Sequence, residues 1–199
     1  EELKKQVVIN TGNLTRFVWK AGALFDMGEK ITAEHIRWFC EKCDWIINYE
    51  LKDSSHYEEE VSLLRKNAYA LSKITGIPYK INAAYRIWNV SYCGFEIPLG
   101  ELEFAMDKFY GELSRLIAPP KHPTAQNRIL AFADHMMDGV IHPWADGCGR
   151  NATALVMWLS LTPGFTLPVF GAREDHYASI LDLGAHTKYF KRCLAEEAE

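Results

Sequence analysis

The chain of 199 residues is 48% hydrophobic and 24% charged, the proportions of a globular protein long enough to bury one real core. A formal charge of −4 without any basic run excludes the electrostatic footprint of a nucleic-acid binder. No apolar stretch reaches bilayer length and no signal-peptide pattern opens the chain, so there is no expected membrane span; the expected location is cytoplasmic, or a host cell if the protein is a secreted effector. Glu1 in place of Met is what a trimmed chain would show.

In chain order, the first part reads as helices. Thr32 is placed to cap one, and Ile36, Phe39, Cys40, Cys43, Ile46 and Ile47 share its apolar face. Cys40-x-x-Cys43 has the spacing of half a zinc site, but no second pair accompanies it and both thiols fall on that apolar face, so they read as core. The odd total of five cysteines, without a framework spacing, favours a reducing compartment. Ser55-x-x-Glu58 forms a capping box ahead of Val61, Leu64, Ala68 and Leu71, and Thr75 to Pro78 stops that helix. Tyr85 to Val90 alternates apolar and polar residues, Ser91 to Gly94 can turn, and Phe95 to Ile97 can return, which predicts a small β-hairpin. Pro98 opens a helix with Leu102, Met106, Phe109, Leu113 and Leu116 on one face, stopped by Pro119-Pro120.

Ala125 to Val140 carries Ile129, Leu130, Phe132, Ala133, Met136, Met137 and Val140 at helical spacing and should end near Gly139, with Asp138 helping to end it. Asn151 to Leu161 is apolar nearly all round, a core helix terminated by Thr162-Pro163-Gly164. Arg173 to Tyr177 heads another helical stretch. No repeat or linker interrupts the chain. The expectation is a mainly α fold with a small β-hairpin, residues 1–78 forming a helical part docked on a core of residues 79–199.

Between the two apolar helices lies His142-Pro-Trp-Ala-Asp-Gly-Cys-Gly-Arg150. A glycine-rich turn feeding a buried helix aims backbone N–H groups and the positive end of the helix dipole at one point, which suits a phosphate. Gly147, Cys148 and Gly149 would supply those amides, and Arg150 a planar cation for a phosphate oxygen. Asp146 offers the hard oxygen that Mg²⁺ takes when it bridges phosphates to protein, leaving His142 as the group able to accept a proton near neutral pH.

This loop resembles that of the Fic domains, His-Pro-Phe-x-Asp/Glu-Gly-Asn-Gly-Arg-x-x-Arg. His142, Pro143, Asp146, Gly147, Gly149 and Arg150 match it, and Trp144 stands for Phe. The likeness extends over roughly residues 81–183 and includes the predicted hairpin, the family's flap, though its specificity lies in the loop. The resemblance implies a protein adenylyltransferase that moves AMP from Mg·ATP onto a Ser, Thr or Tyr hydroxyl of a target protein. His142 would be the base, Asp146 the Mg²⁺ ligand, and Gly147, Cys148, Gly149 and Arg150 the nucleotide-phosphate site. Tyr85, Ile87 and Asn89 would lie on the flap that docks the target.

Two positions depart from the family. Its Asn is Cys148, which should weaken loop ordering while keeping the amide, and its second Arg, associated with the terminal phosphate of ATP, is Thr153. Two alternatives follow: transfer of UMP, phosphate or phosphocholine by the same loop, or a Fic-like domain that binds a nucleotide or partner without turnover.

Other candidates read less sharply. Ser54 and Ser55, each with Glu four residues on, approach the family's inhibitory motif but lack its following Gly or Asn, so they read as the start of a capped acidic helix. His135 and Asp138 beside His142 lack a further ligand at suitable spacing, and His176 and His186 show no partner pattern. A nucleophilic Cys148 is the lesser use of a thiol in this loop.

Overall fold

The computed structural model describes residues 12–23, 30–47, 85–86, 89–90, 97–118, 125–144 and 147–195. Seven α-helices run through them: α1 Gly12–Ala21, α2 Ala33–Trp45, α3 Leu99–Ile117, α4 Gln126–Asp134, α5 Cys148–Ser160, α6 Arg173–Ser179 and α7 Leu183–Ala195. The protein is thus mainly α-helical. The capping box at Ser55, the Pro119-Pro120 stop, Ile87, the predicted turn and the return residues 91–96 lie outside the described residues. Among the described residues there is no sheet; the one β contact is an isolated antiparallel bridge between Tyr85 and Trp144.

Thr32 caps α2 as the sequence predicts: its hydroxyl accepts from the His35 amide at 3.2 Å, and His35 Nδ1 accepts from the Thr32 amide at 3.3 Å. Each helix then buries the stripe its spacing dictates, Leu14, Val18 and Ala21 on α1 and Ile36, Phe39, Cys40 and Cys43 on α2. On α3 the stripe is Leu102, Met106, Phe109, Tyr110, Leu113 and Ile117. Leu116, expected in that stripe, is 47% exposed, because Ile117 lies on the line set by Leu102, Met106 and Leu113.

Helix α5 is the centre of the core. It packs on α1, α2 and α4 and buries most of its surface, leaving the line of Gly149, Arg150, Thr153 and Met157 partly open. Polar groups on such a helix need internal partners. Asn151, fully buried, donates from Nδ2 to the Cys40 carbonyl at 3.0 Å and ties α5 to α2, while the Ser160 hydroxyl returns to its own helix at Val156. Cys40 and Cys43 are free, buried thiols in the core, and burial pushes both well above the usual thiol range.

An aromatic ladder joins the N-terminal helices to this centre. Phe17 stacks on Phe39 at 5.3 Å, and Phe39 lies nearly parallel to Trp158 of α5, 4.4 Å between centroids and 7° between planes. The helices expected to dock from the N-terminal part therefore share one core with the rest. Farther along, the Gln126 side chain exchanges two hydrogen bonds with the Thr166 backbone and holds the segment after α5 against the start of α4. Phe39→Ala should lower unfolding free energy by about 3–5 kcal/mol, the usual cost of emptying a buried aromatic site, and denaturant titration will read it.

Candidate active site

The helix predicted over residues 125–140 changes character partway. After Asp134 the chain widens into a π-helical segment, His135–Ile141, closed by the His142 amide donating to the Met137 carbonyl five residues back at 3.2 Å. Gly139 sits inside it where a Cβ would come within 2.7 Å of the Ile180 carbonyl, so only glycine lets the segment approach the end of α6 so closely. Asp138 does not end this helix as expected. It lies inside the π segment, and Pro143 forces the exit, since a proline disfavours right-handed helix in the residue before it.

His142 takes up that exit in the left-handed region, φ 47° and ψ 61°, the sole non-glycine residue with positive φ among those described. Such a conformation costs on the order of 1–3 kcal/mol and persists only where its surroundings over-determine it. Here they do. His142 Nδ1 lies 3.0 Å from the Asp138 carbonyl oxygen, a pure acceptor, so Nδ1 carries the ring proton and Nε2 is left as the basic nitrogen. The Asp138 carboxylate stands 3.6 Å from the same Nδ1, and Asp138 Oδ2 is also close to where a side chain on Gly149 would begin. Burial pushes the Asp138 carboxyl up to about 6, with the negative charge of Asp134 adding to the shift and His142 and His176 opposing it.

The second brace is Arg86, which is 97% buried by complement of its 3% exposure and lies 56 positions from His142 in the chain. Its Nε donates to the His142 carbonyl at 2.9 Å, and one terminal nitrogen reaches the carbonyls of Ile97 at 2.7 Å and Ile141 at 3.4 Å. The Arg86 amide donates to the Pro143 carbonyl at 2.8 Å, and the Tyr85 ring tilts against Trp144 at 5.1 Å. Tyr85 and Arg86, the start of the segment read as a flap strand, are therefore fastened to Pro143 and Trp144. Tyr85 is half-buried, and Asn89 accepts from the Leu99 amide at the start of α3, so both side chains are engaged within the chain. Sequence reasoning placed Arg86 on the hairpin but gave it no role, because its partners are backbone carbonyls that carry no residue signature.

Gly147 makes the second left-handed turn, φ 76°. A Cβ there would meet Ile47 Cγ2 at 2.6 Å, so both backbone angle and space call for glycine. The turn starts α5 at Cys148, three residues before the predicted start, and no side chain caps it. The first amides of an α-helix have no partner within the helix, and here no N-cap side chain meets them. Arg150 lies on the same first turn and folds its guanidinium back toward Gly147. Asp146, the predicted Mg²⁺ ligand, lies outside the described residues.

Cys148 departs from expectation in a different sense. Its buried Sγ accepts from the Trp144 amide at 3.4 Å and donates to the Trp144 carbonyl at 3.6 Å, so the thiol ties Cys148 to Trp144. That position also removes it from the role of an exposed nucleophile. The Thr153 hydroxyl donates to the Gly149 carbonyl at 2.9 Å, one turn back on its own helix.

A second polar centre shares the wall. His176 Nε2 and His186 Nε2 lie 2.7 and 2.9 Å from the same oxygen, Oδ2 of buried Asp134. Burial opposes ionisation of Asp134, yet the hydrogen bonds from His176 and His186 outweigh it and hold the carboxyl below its ordinary 3.8. Burial likewise opposes a charged His176, and the bond to Asp134 reverses that, raising the imidazole above 6.5. Separations of 42 and 52 residues explain why no spacing rule found this group.

Comparison with family models, with curated proteins and with solved structures finds no match to this chain.

Two outcomes test the site's architecture. Arg86→Met keeps the stem but leaves buried carbonyls without a donor; it should cost at least about 2 kcal/mol in denaturant unfolding and broaden or shift the His142 ring resonances in NMR. Because the Asp138 carboxyl titrates at about 6 folded against an ordinary 3.8, the folded state holds a proton that the unfolded chain has lost, so stability falls as pH rises through this window. Asp138→Asn should abolish that decline, gaining on the parent protein between about pH 4 and 6 and running parallel above it.

Proposed function

We propose that the chain is a Fic-type nucleotidyltransferase that moves AMP from Mg·ATP onto a Ser, Thr or Tyr hydroxyl of a target protein. The observation that carries the reading is His142, held in a costly left-handed turn with its ring proton pinned on Nδ1 and its basic nitrogen spared, directly before a glycine turn and an uncapped helix start. A fold that needed only a turn at this point would not place a histidine there under such constraint.

In this mechanism His142 Nε2 takes the proton of the attacking hydroxyl, and the Asp138 carbonyl keeps the other ring nitrogen protonated as the imidazolium forms. The amides of Cys148 and Gly149 and the dipole of α5 face charge that shifts toward the leaving pyrophosphate, with Arg150 beside them. These residues fit a polyphosphate by the chemistry of their donors: backbone N–H groups, glycines that permit close approach and a planar cation. Mg²⁺, with Asp146 as its ligand, would neutralise phosphate charge. The segment from Tyr85 to Ile97 would present backbone for strand addition by the target.

Thr153 favours a second reading of the donor. Where the family's Arg would meet a terminal phosphate, its hydroxyl is engaged with Gly149, which supports UMP, phosphate or phosphocholine transfer by the same loop.

The test is incubation with ATP, UTP, GTP, CTP or CDP-choline plus Mg²⁺, followed by intact-mass analysis of the chain and of added target protein. A mass gain equal to one nucleotide monophosphate from ATP is expected. His142→Asn should lower the rate by at least about a hundredfold. It should leave the melting temperature equal or higher, because Asn tolerates the left-handed turn. Equal transfer by that variant overturns the mechanism, and absence of both transfer and nucleotide binding with every donor overturns the function.

A further inference from the structure

The centre formed by Asp134, His176 and His186 plays no part in the proposed transfer, and it gathers three metal-ligating side chains at one largely buried point. Both imidazoles aim Nε2 at one carboxylate oxygen, so as donors both rings must carry hydrogen on Nε2. His186 Nδ1 also lies 2.9 Å from Ser179 Oγ, while Ser179 Oγ donates to the His176 carbonyl at 3.0 Å. The His176 carbonyl also accepts from the Ile180 amide at 3.0 Å, so the Ser179 hydroxyl serves either partner and the His186 tautomer follows what its Nε2 faces.

The same three atoms can instead face a cation at their focus. With an ion bound, His186 stays neutral: Nε2 turns its lone pair to the ion, Nδ1–H donates to Ser179, and the hydroxyl proton goes to the His176 carbonyl. Such an outer hydrogen bond is what fixes the tautomer of a metal-bound histidine. Ring packing points the donors the same way. His186 stacks on Tyr189 at 3° and meets Phe190 edge-on, and the two imidazoles stand 77° apart with centroids at 5.2 Å.

We propose that Asp134 Oδ2, His176 Nε2 and His186 Nε2 form a binding site for a divalent transition-metal ion of the zinc class. The three donor atoms lie within 4.8 Å of one another, and opening the two N···O separations by about half an ångström gives the roughly 3.3 Å edge of a tetrahedron with bonds near 2.0–2.1 Å. Two imidazoles and one carboxylate suit Zn²⁺, Co²⁺ or Fe²⁺ better than Mg²⁺, which prefers an all-oxygen shell. The open side is that of His176, whose side chain is 18% exposed while those of Asp134 and His186 are 2% and 0% exposed, so water can complete the shell there. The ion would clasp α6 and α7 onto the end of α4, one turn before the carbonyl that holds His142.

The test is titration of the metal-free full chain with Co²⁺ and Zn²⁺, followed by visible absorption, calorimetry and thermal melting. One Co²⁺ per chain with the intense d–d bands of low coordination, displaced by Zn²⁺, is expected, together with a rise in melting temperature. His176→Gln, at the most exposed of the three ligands, should abolish the bands. Ser179→Ala, which touches no ion, should weaken binding by about 10–100-fold while the metal-free fold melts as before. Absence of stoichiometric binding overturns the proposal. So does binding that survives His176→Gln, or that is lost on changing His142 or Asp146, since either would locate the ion elsewhere. Transfer activity is not a readout of this experiment, so the two proposals stand or fall separately.

Discussion

The buried guanidinium of Arg86 is the constraint on which the loop's geometry rests. Where a helix loosens into a π segment and then reverses through a left-handed residue, its last carbonyls lose their regular partners. Those of Ile141 and His142 are exposed by the manoeuvre inside the protein, where an unmet acceptor costs roughly 1–3 kcal/mol. Arg86 meets both, along with Ile97, two residues before α3. A planar fork does this where lysine could not, because its donors diverge at fixed angles and reach separate carbonyls at once. The Tyr85 to Trp144 bridge and ring contact then cover the arrangement from one side. The strain at His142 is thereby balanced by contacts that exist only in this conformation.

Helix positions were legible in the sequence wherever a single period governed. Leu14, Val18 and Ala21, or Leu102, Met106 and Leu113, declare one face, and the cap at Thr32 needs only local chemistry. The π segment was not legible, because His135 to Ile141 keeps an apolar pattern that serves α and π windings alike; what selects the wider winding is Gly139 against the Ile180 carbonyl, a contact across 41 residues. Leu116 and Ile117 show the limit of counting: adjacent apolar residues compete for one line, and packing decides.

The candidate site divides the same way. His142, Gly147, Gly149 and Arg150 could be singled out as candidates because they fall within one nine-residue stretch, His142 to Arg150. Arg86 and the Asp134 group could not, since their partners are backbone atoms or residues far along the chain. Cys148 is intermediate. Sequence pointed to the position, but the inference that a thiol weakens the loop treated the side chain as a failed amide, whereas it fits inside the turn and bonds both backbone groups of Trp144.

Asp134, Asp138 and His142 recur at intervals of four, so one helical wall carries the buried histidine cluster, a carboxyl of raised affinity for protons, and the strained His142 in succession. Asp138 is the shared element: negative charge on Asp134 raises it, while His176 on one side and His142 on the other lower it. Any change of charge at the Asp134 cluster must therefore be felt at Asp138, and through the 3.6 Å contact at His142, without a change of backbone. The backbone itself has little room to respond, because Gly139 already lies against Ile180 between the two centres. Coupling along this wall would be electrostatic first and mechanical second, and that order follows from close packing in the middle and polar groups at both ends.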